Sequence, residues 1–595
     1  MRARPIIALV FVGLANSGLA AQSAREQTAD QQVRHVLNRL AFGPRPGDYD
    51  KVRQMGVDAW IEQQLHPERI ADPAVGPLLA QLTTYTMNSA DLIRDYPRPG
   101  QIQKQAANAR TAADSMMLRQ ERQGQQRIVQ DVQAARIAQA VSSERQLQEV
   151  LVDFWLNHFS VYAGKNAQER MYLSSYEREV IRPRVFGKFR DLLGAVAKSP
   201  AMLIYLDNFQ SRADTSRRTT VSVARGGGGR ANGRAFMGGR GMAAQQLARA
   251  RAAQGRGASG LNENYGRELL ELHTLGVDGG YTQKDVTEAA RALTGWTVDV
   301  QGGTGFVFRP QLHDAEPKTI LGVHMPAGRG MQDGEQLLDI VARHPSTAHF
   351  IALKLARRFI SDDPPPSVVD RAAKTFRDTD GDLREVVRTI VTSSEFFAGA
   401  AYHAKVKSPF EVVVSALRAV NGEAEPTPRT AQLMAQLGEP MFGRQTPDGW
   451  PETGDKWINT GSILNRINFG IALAAGRVPG AQPRTWPLPQ AIRNAPRAQQ
   501  VDAVIAAFLG GEASPETRQI LVEGNNPLLS KVKADTNDAT MGRTPPDSVA
   551  RVITGIGATD LRRAQAGGAF QQLPALQGLP QIVGLALGSP EFQRR

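Results

Sequence analysis

No cysteine occurs in the 595 residues, although the chain opens with what reads as an export leader. The first residues, MRARPIIALVFVGLANSGLAAQS, set Arg2 and Arg4 before an apolar run from Pro5 to Val12. Gly18 and Ala20 follow at the spacing that a signal peptidase reads. The apolar run is too short to cross a bilayer, so residues 1–20 are expected to be a signal peptide and the mature chain periplasmic or extracellular. No later apolar run is long enough to span a membrane. Exported chains commonly staple themselves with disulfides; this one must hold together by burial. Its length permits that and exceeds the size at which a single core stops growing, which predicts two or three packed subdomains. Zinc sites built on thiolate are excluded by the same absence.

The formal net charge of +13 points towards nucleic acid, but its distribution does not. Ten arginines between Arg212 and Arg256 face one acid, Asp214. With these and the two arginines of the leader set aside, the rest of the chain is close to neutral. The tract VARGGGGRANGRAFMGGRGMAAQQLARARAAQGRGASG is poor in large apolar side chains and cannot bury enough surface to offset its ordering entropy. Residues 212–258 are therefore expected to be a disordered insert. Its arginines could hold an anionic polymer or surface, or simply form a solvated loop; no specific nucleic-acid partner is implied. Gly255, Gly257 and Gly260 have dinucleotide-fingerprint spacing, but no strand precedes them.

Elsewhere apolar residues recur mainly at helical spacing. RHVLNRLAFGPRPGDYDKVRQMGVDAWIEQQL gives two amphipathic runs split by GPRPGD, and Val150, Leu151, Phe154 and Trp155 give another around DFWLNHF. Pro345 stands at a favourable first-turn position, and Asp382 precedes Glu385 as in a capping box. GFVFRPQLHDAEPKTILG alternates around a Pro-bounded turn and predicts one hairpin near 305–322. The fold class expected is mostly α: an N-terminal helical part over 30–211, a central part with the small hairpin over 259–475, and a C-terminal helical part over 476–595.

The densest polar stretch is NENYGRELLELHTLGVDGGYTQKDVTEAARALTGW, from Asn262 to Trp296. On an ideal helix Glu263, Arg267 and Glu271 form an ion-pair stripe, with Tyr265, Leu269 and Leu272 opposite and His273 near the apolar face. Gly276 fits a left-handed cap with Val277 in hydrophobic contact behind it. Thr282 caps the next helix with Asp285 at its third position, and Val286, Ala289, Ala290 and Leu293 make a narrow packing face. Caps and packing do not account for the ionisable groups that follow in HDAEPK. His313, Asp314 and Lys318 could supply a base, an orienting acid and an anion binder, or a turn whose Asp bonds its own backbone.

Glu268, His313 and Asp314 are thus the acid–base candidates, with Arg267 and Lys318 as anion holders. His158 in the aromatic NHF run is a further binding candidate or a satisfied core histidine. Trp450 and Trp457, in a Gly/Pro-rich loop, either stack on a substrate ring or anchor the loop. The catalytic reading requires these groups to converge on one pocket. No metal set is apparent: RDTDGDLRE has its glycine misplaced for a calcium loop, and His344 and His349 are five apart, off one helix face. There is no H-E-x-x-H, G-x-S-x-G or Walker loop, so the cofactor stays unknown.

Taken in order, RHVLNRLAFGP, DFWLNHF, the Asn262–Trp296 stretch, HDAEPKTILG, HPSTAHFIALKLARRF, GDLREVVRTIVTSSEFF, KSPFEVVVSALRA, GWPETGDKWINTGSILNRINF and LGSPEFQRR resemble the bacterial domain of unknown function 1800 family from about residue 30 onward. The resemblance implies a largely helical, often exported protein. It also implies a partner encoded by a neighbouring gene, from a second uncharacterised family of phosphatase- or sulfatase-like fold. Two functional classes follow: an exported hydrolase-type enzyme with a carboxylate/His site, or a non-catalytic accessory protein acting with that partner on a polymer or the cell surface.

Overall fold

The computed structural model describes residues 25–96, 111–214, 260–299, 305–425, 427–525 and 573–595. Residues 1–20, expected to be a signal peptide, and nearly all of the Gly/Arg-rich tract lie outside those residues. The elements that position the site are α1 (Ala112–Ser142), α2 (Gln146–His158), α3 (Glu263–Glu268), α4 (Gln283–Ala292), α5 (Pro345–Phe359), α6 (Pro366–Asp378), α7 (Leu383–Val391), α8 (Pro409–Ala419), α9 (Thr460–Ala474), α10 (Pro515–Glu523) and α11 (Gly578–Leu587), with strands β1 (Trp296–Asp299), β2 (Gly305–Phe308), β3 (Lys318–Ile320) and β4 (Val323–Met325). The architecture is mostly α, as the periodicity predicts. Among the described residues no helix is long and apolar enough to cross a membrane.

Each helix buries the stripe that its sequence marks. In α7, Leu383, Val386, Val387 and Ile390 face inward while Asp382 accepts from the Glu385 N–H at the N-terminus. That face meets α6, which in turn lies along α5. The buried apolar side chains connect into one cluster running from Val33 to Phe592. Helix α8 sits deepest: every residue from Pro409 to Ala419 is buried.

The strands depart from expectation. In place of one hairpin over 305–322 there are two: β2 pairs with β1, and β3 pairs with β4. The His313–Asp314 turn lies between the hairpins rather than at the tip of one.

The α3–α4 pair also differs from an ideal helix model. After Glu268 the chain widens into a π turn, Leu269–Thr274, which rotates the later side chains out of the 3.6-residue register. No Glu263/Arg267/Glu271 stripe forms. Instead Arg267 donates to Gln283 (2.7 Å), Gln283 donates to Glu263 (3.1 Å), and Tyr281 donates to Glu271 (3.1 Å), so all three residues tie the pair together. Thr282 and Asp285 form the expected capping box. Gly276 has φ +84°, but Val277 is 69% exposed and makes no hydrophobic lock.

Gly266 explains how closely the two helices approach. A Cβ there would lie 2.7 Å from the Val286 carbonyl oxygen and 2.9 Å from the Ala290 nitrogen. Both contacts are backbone and cannot swing aside. Gly266→Ala is therefore expected to cost about 1–3 kcal/mol, measured as a lowered midpoint in urea unfolding; an unchanged midpoint would show that the helices are not in such contact.

Candidate functional site

Four charged side chains lie among the buried or half-buried residues of their helices, three on apolar stripes and Glu411 at the third position of a capping box with Ser408. On α5, Ile351, Leu355 and Phe359 are buried, and Arg358, one turn beyond Leu355, points the same way at 3% exposure. On α2, Asp153 lies one turn beyond Val150. Glu411 is in the first turn of the fully buried α8, and Arg136 is buried on α1. An ion removed from water must be paired or neutralised, and these four are placed to meet that demand together.

The Arg358 guanidinium donates to Asp153 (3.1 Å), pairs with Glu411 at 3.0 Å and lies 3.6 Å from the Glu452 carboxylate. Arg595 contacts the same Glu411 oxygen at 3.1 Å, and the other Glu411 oxygen accepts from the Ser408 N–H at 2.9 Å. Arg136 pairs with Glu149 (3.0 Å) and reaches to 3.8 Å from Asp153. Arg595 is held by backbone pairing of 593–595 with 405–407: Arg595 N–H donates to Lys405 (2.8 Å) and Lys407 N–H to Gln593 (2.9 Å).

These groups wall a cavity of about 80 Å³ that Glu439, Trp450 and Trp457 also line. That is room for a few waters or one small polar group. The electrostatics divide its acids. Burial would raise Glu411, but Arg595 and Arg358 hold it down at about 2. Glu439 has no ion pair among the described residues, and burial, with Asp153 nearby, pushes it up to about 8. Burial also raises Asp153, against the pull of Arg358 and Arg136. Lys405, which donates to the Glu452 carbonyl at 2.6 Å, is lowered by burial to about 8.

The aromatic wall comes from the loop of residues 449–457. Asn157 clamps it, accepting from the Trp450 N–H at 2.6 Å and donating to the Trp450 carbonyl at 2.8 Å. The approach needs Gly449, at φ +74°, where a Cβ would meet the Asn157 carbonyl at 2.3 Å. Trp457 donates to Pro451 at 2.9 Å and lies 6.2 Å from Trp450, whose ring Arg444 covers at 5.4 Å.

The sequence pattern of the family described as protein of unknown function (DUF1800) matches residues 35–594, which takes in every cavity residue named above except Arg595. The chain belongs to that family. No curated protein and no solved structure matches it.

Of the eight side chains singled out in this DUF1800 sequence, Trp450 and Trp457 line the cavity; the other six lie elsewhere. His313 is fully buried, its ring nitrogens facing the Thr294 carbonyl (2.8 Å) and the Asp333 carboxylate (3.2 Å). Asp314 takes a two-point contact from Arg291 (2.8 and 3.1 Å), and Lys318 donates to Asp333 (2.7 Å) and to the Asp314 carbonyl (2.6 Å). The HDAEPK turn is thus a closed ionic latch under α4. Glu268, raised by burial and by Glu271 to about 6, borders a separate polar depression with Lys165, Tyr205 and Asp207, which the latch does not reach. Arg267 is taken up by Gln283.

His158 joins α2 to α5. Its Nε2 faces the His273 carbonyl at 3.1 Å, which can only accept, so Nε2 carries the proton and Nδ1 accepts from Lys354 at 2.9 Å. Burial and then the Lys354 charge keep the ring neutral. Among the described residues no group of three or more His, Asp or Glu side chains is arranged to hold a metal.

Sequence reading passed over Asp153, Arg358, Glu411, Glu439 and Glu452. The signal that could have found Asp153 and Arg358 is a charge on an apolar helical stripe, and for Glu411 the Ser408–Glu411 capping-box spacing.

Two outcomes follow. Arg358→Met would leave Glu411 with Arg595 as its one paired cation among the described residues and half-buried Asp153 with Arg136 at 3.8 Å, and is expected to destabilise the fold by about 3–5 kcal/mol in chemical unfolding; a loss below about 1 kcal/mol would mean the network is not what holds these helices. Glu439 is raised from 4.5 to about 8, so between those values the folded chain keeps a proton that the unfolded chain has released. Its contribution to stability therefore falls as pH rises through that window. The thermal midpoint of the wild type should drop more between pH 5 and pH 8 than that of Glu439→Gln; parallel profiles would contradict the raised value.

Proposed function

We propose that the chain is an exported hydrolase that cleaves a saccharide linkage at the carboxylate cavity. Glu439 is the proton donor, Glu452 the base, and Trp450 and Trp457 the platform for the sugar. What supports it is one juxtaposition: a carboxyl without a cation partner and an arginine-bound carboxylate line the same small cavity beside two tryptophans. A carboxyl raised by burial is suited to the acid role.

Held near 8, Glu439 carries its proton at neutral pH and can give it to a leaving oxygen. Glu452 is the less tightly held acid, 3.6 Å from Arg358 and supported at 3.3 Å by the Asn157 amide. It takes the proton of the attacking water as the C–O bond breaks, so one water is consumed and each fragment gains a hydroxyl. Glu411 stays an ionised anchor, since both its oxygens are occupied. The cavity admits the scissile atoms and water while the sugar ring lies outside against half-buried Trp450, which the buried Trp457 backs. The basic leader and the absence of cysteine fit work outside the cytoplasm.

The test is a reducing-end assay on cell-wall and storage polysaccharides. Wild type should release ends, and Glu439→Gln and Glu452→Gln should each lose about 10²–10⁴-fold in rate while keeping wild-type circular dichroism. Equal turnover in all three would remove these residues from the chemistry. Polymer binding without turnover by the wild type would make the chain an accessory protein instead.

A further inference from the structure

A second cavity, of about 410 Å³, lies between α9, α10 and α11 and shares no lining residue with the carboxylate cavity. Its walls are apolar: Ile463 and Ile467 on α9, Ile520 and Leu521 on α10, and Leu585 on α11. Ile458, 41% exposed, stands at its edge. A volume of this size falls in the range of small-molecule sites, about 300–1,000 Å³.

Between Ile463 and Ile467 the same helix carries Arg466, which lines the cavity at 3% exposure. Its Nη1 donates to the Gln593 amide oxygen at 2.8 Å and its Nη2 to the Lys407 carbonyl at 2.9 Å. Both partners are neutral. Among the described residues Nε has no partner, and no carboxylate lies within 4 Å of this guanidinium. Of the acids near the cavity, Glu591 is occupied by Ser514 and Thr517 (2.9 Å each), and Glu516 is exposed at the rim with Arg594. Glu439 and Glu411 act on it only from beyond contact, and a buried guanidinium without a contacting anion, set into an apolar wall, is costly unless a ligand completes it. Its planar fork is matched by a carboxylate, and the apolar walls by an unbranched chain.

We infer that this cavity binds a single-chain amphiphile with a carboxylate head, the head on Arg466 and the alkyl chain against Ile467, Ile520 and Leu585. The inference stands apart from the hydrolase reading. A polymer would exceed a site of this volume, and Ile463, Ile467, Ile520, Leu521 and Leu585 give it the apolar wall that an alkyl chain needs.

Isothermal titration of the full chain with sodium decanoate and with decanol tests it. Decanoate should bind one per chain and at least about tenfold tighter than decanol, a difference of about 1.4 kcal/mol. Ile520→Trp, which fills the cavity without touching the arginine, should weaken both at least about tenfold. Arg466→Met should bring decanoate down to the level of decanol. No binding of either, equal binding of both to wild type, or an unaffected Ile520→Trp chain would each overturn the inference. If Arg466→Met does not fold, the decanoate–decanol comparison and the Ile520→Trp chain decide the matter.

Discussion

Asp153, Glu411 and Glu452 come from two helices and a loop, far apart in sequence, and all three face the guanidinium of Arg358. Each charge would cost several kcal/mol if left buried alone, so α2, α5, α8 and the loop of residues 449–457 are stable only when brought together. The same constraint creates the chemistry. Arg358 and Arg595 are spent on Glu411 and its neighbours, while Glu439 shares the cavity with acids and has no cation of its own among the described residues. One acid is held near 2 and another near 8 in a single cavity.

The chain contains a second ionic cluster of opposite character. Around His313, Asp314, Lys318, Arg291 and Asp333, Arg291 answers Asp314, and Lys318 and His313 answer one oxygen of Asp333, at hydrogen-bond distance. It locks the segment between the two hairpins onto α4. The Arg358 cluster instead stops short of closure: Glu452 stays at 3.6 Å and space for water remains. Closure and incompleteness separate a structural latch from a candidate site.

Local punctuation was legible in the sequence. Thr282 with Asp285, Asp382 before Glu385 and Pro345 act through neighbours within one turn, and each caps or opens its helix as expected. Partnership between distant segments was not. The ideal helical period placed Arg267 between Glu263 and Glu271, whereas Gln283 from the next helix takes up Arg267 and Glu263 and a π turn displaces Glu271. Polar density drew attention to HDAEPK, yet density is also what a satisfied buried network requires. Asp153 and Arg358 left a weaker trace, one charge each on an apolar stripe, and Glu411 only a capping-box spacing. Glu439 and Glu452, in irregular loops, left none, because only the folded chain sets their surroundings. Trp450 and Trp457 stood out by residue type and do line the cavity.

The acid role of the cavity depends on Glu439 holding its proton at neutral pH. Infrared difference spectra between wild type and Glu439→Gln, recorded across a pH titration, read that proton directly through the carboxylic acid C=O stretch. The account predicts a protonated-carboxyl band at neutral pH that is missing in the variant and disappears with a midpoint near 8. A Glu439 band already lost at neutral pH, with a midpoint near the ordinary 4.5, would contradict it.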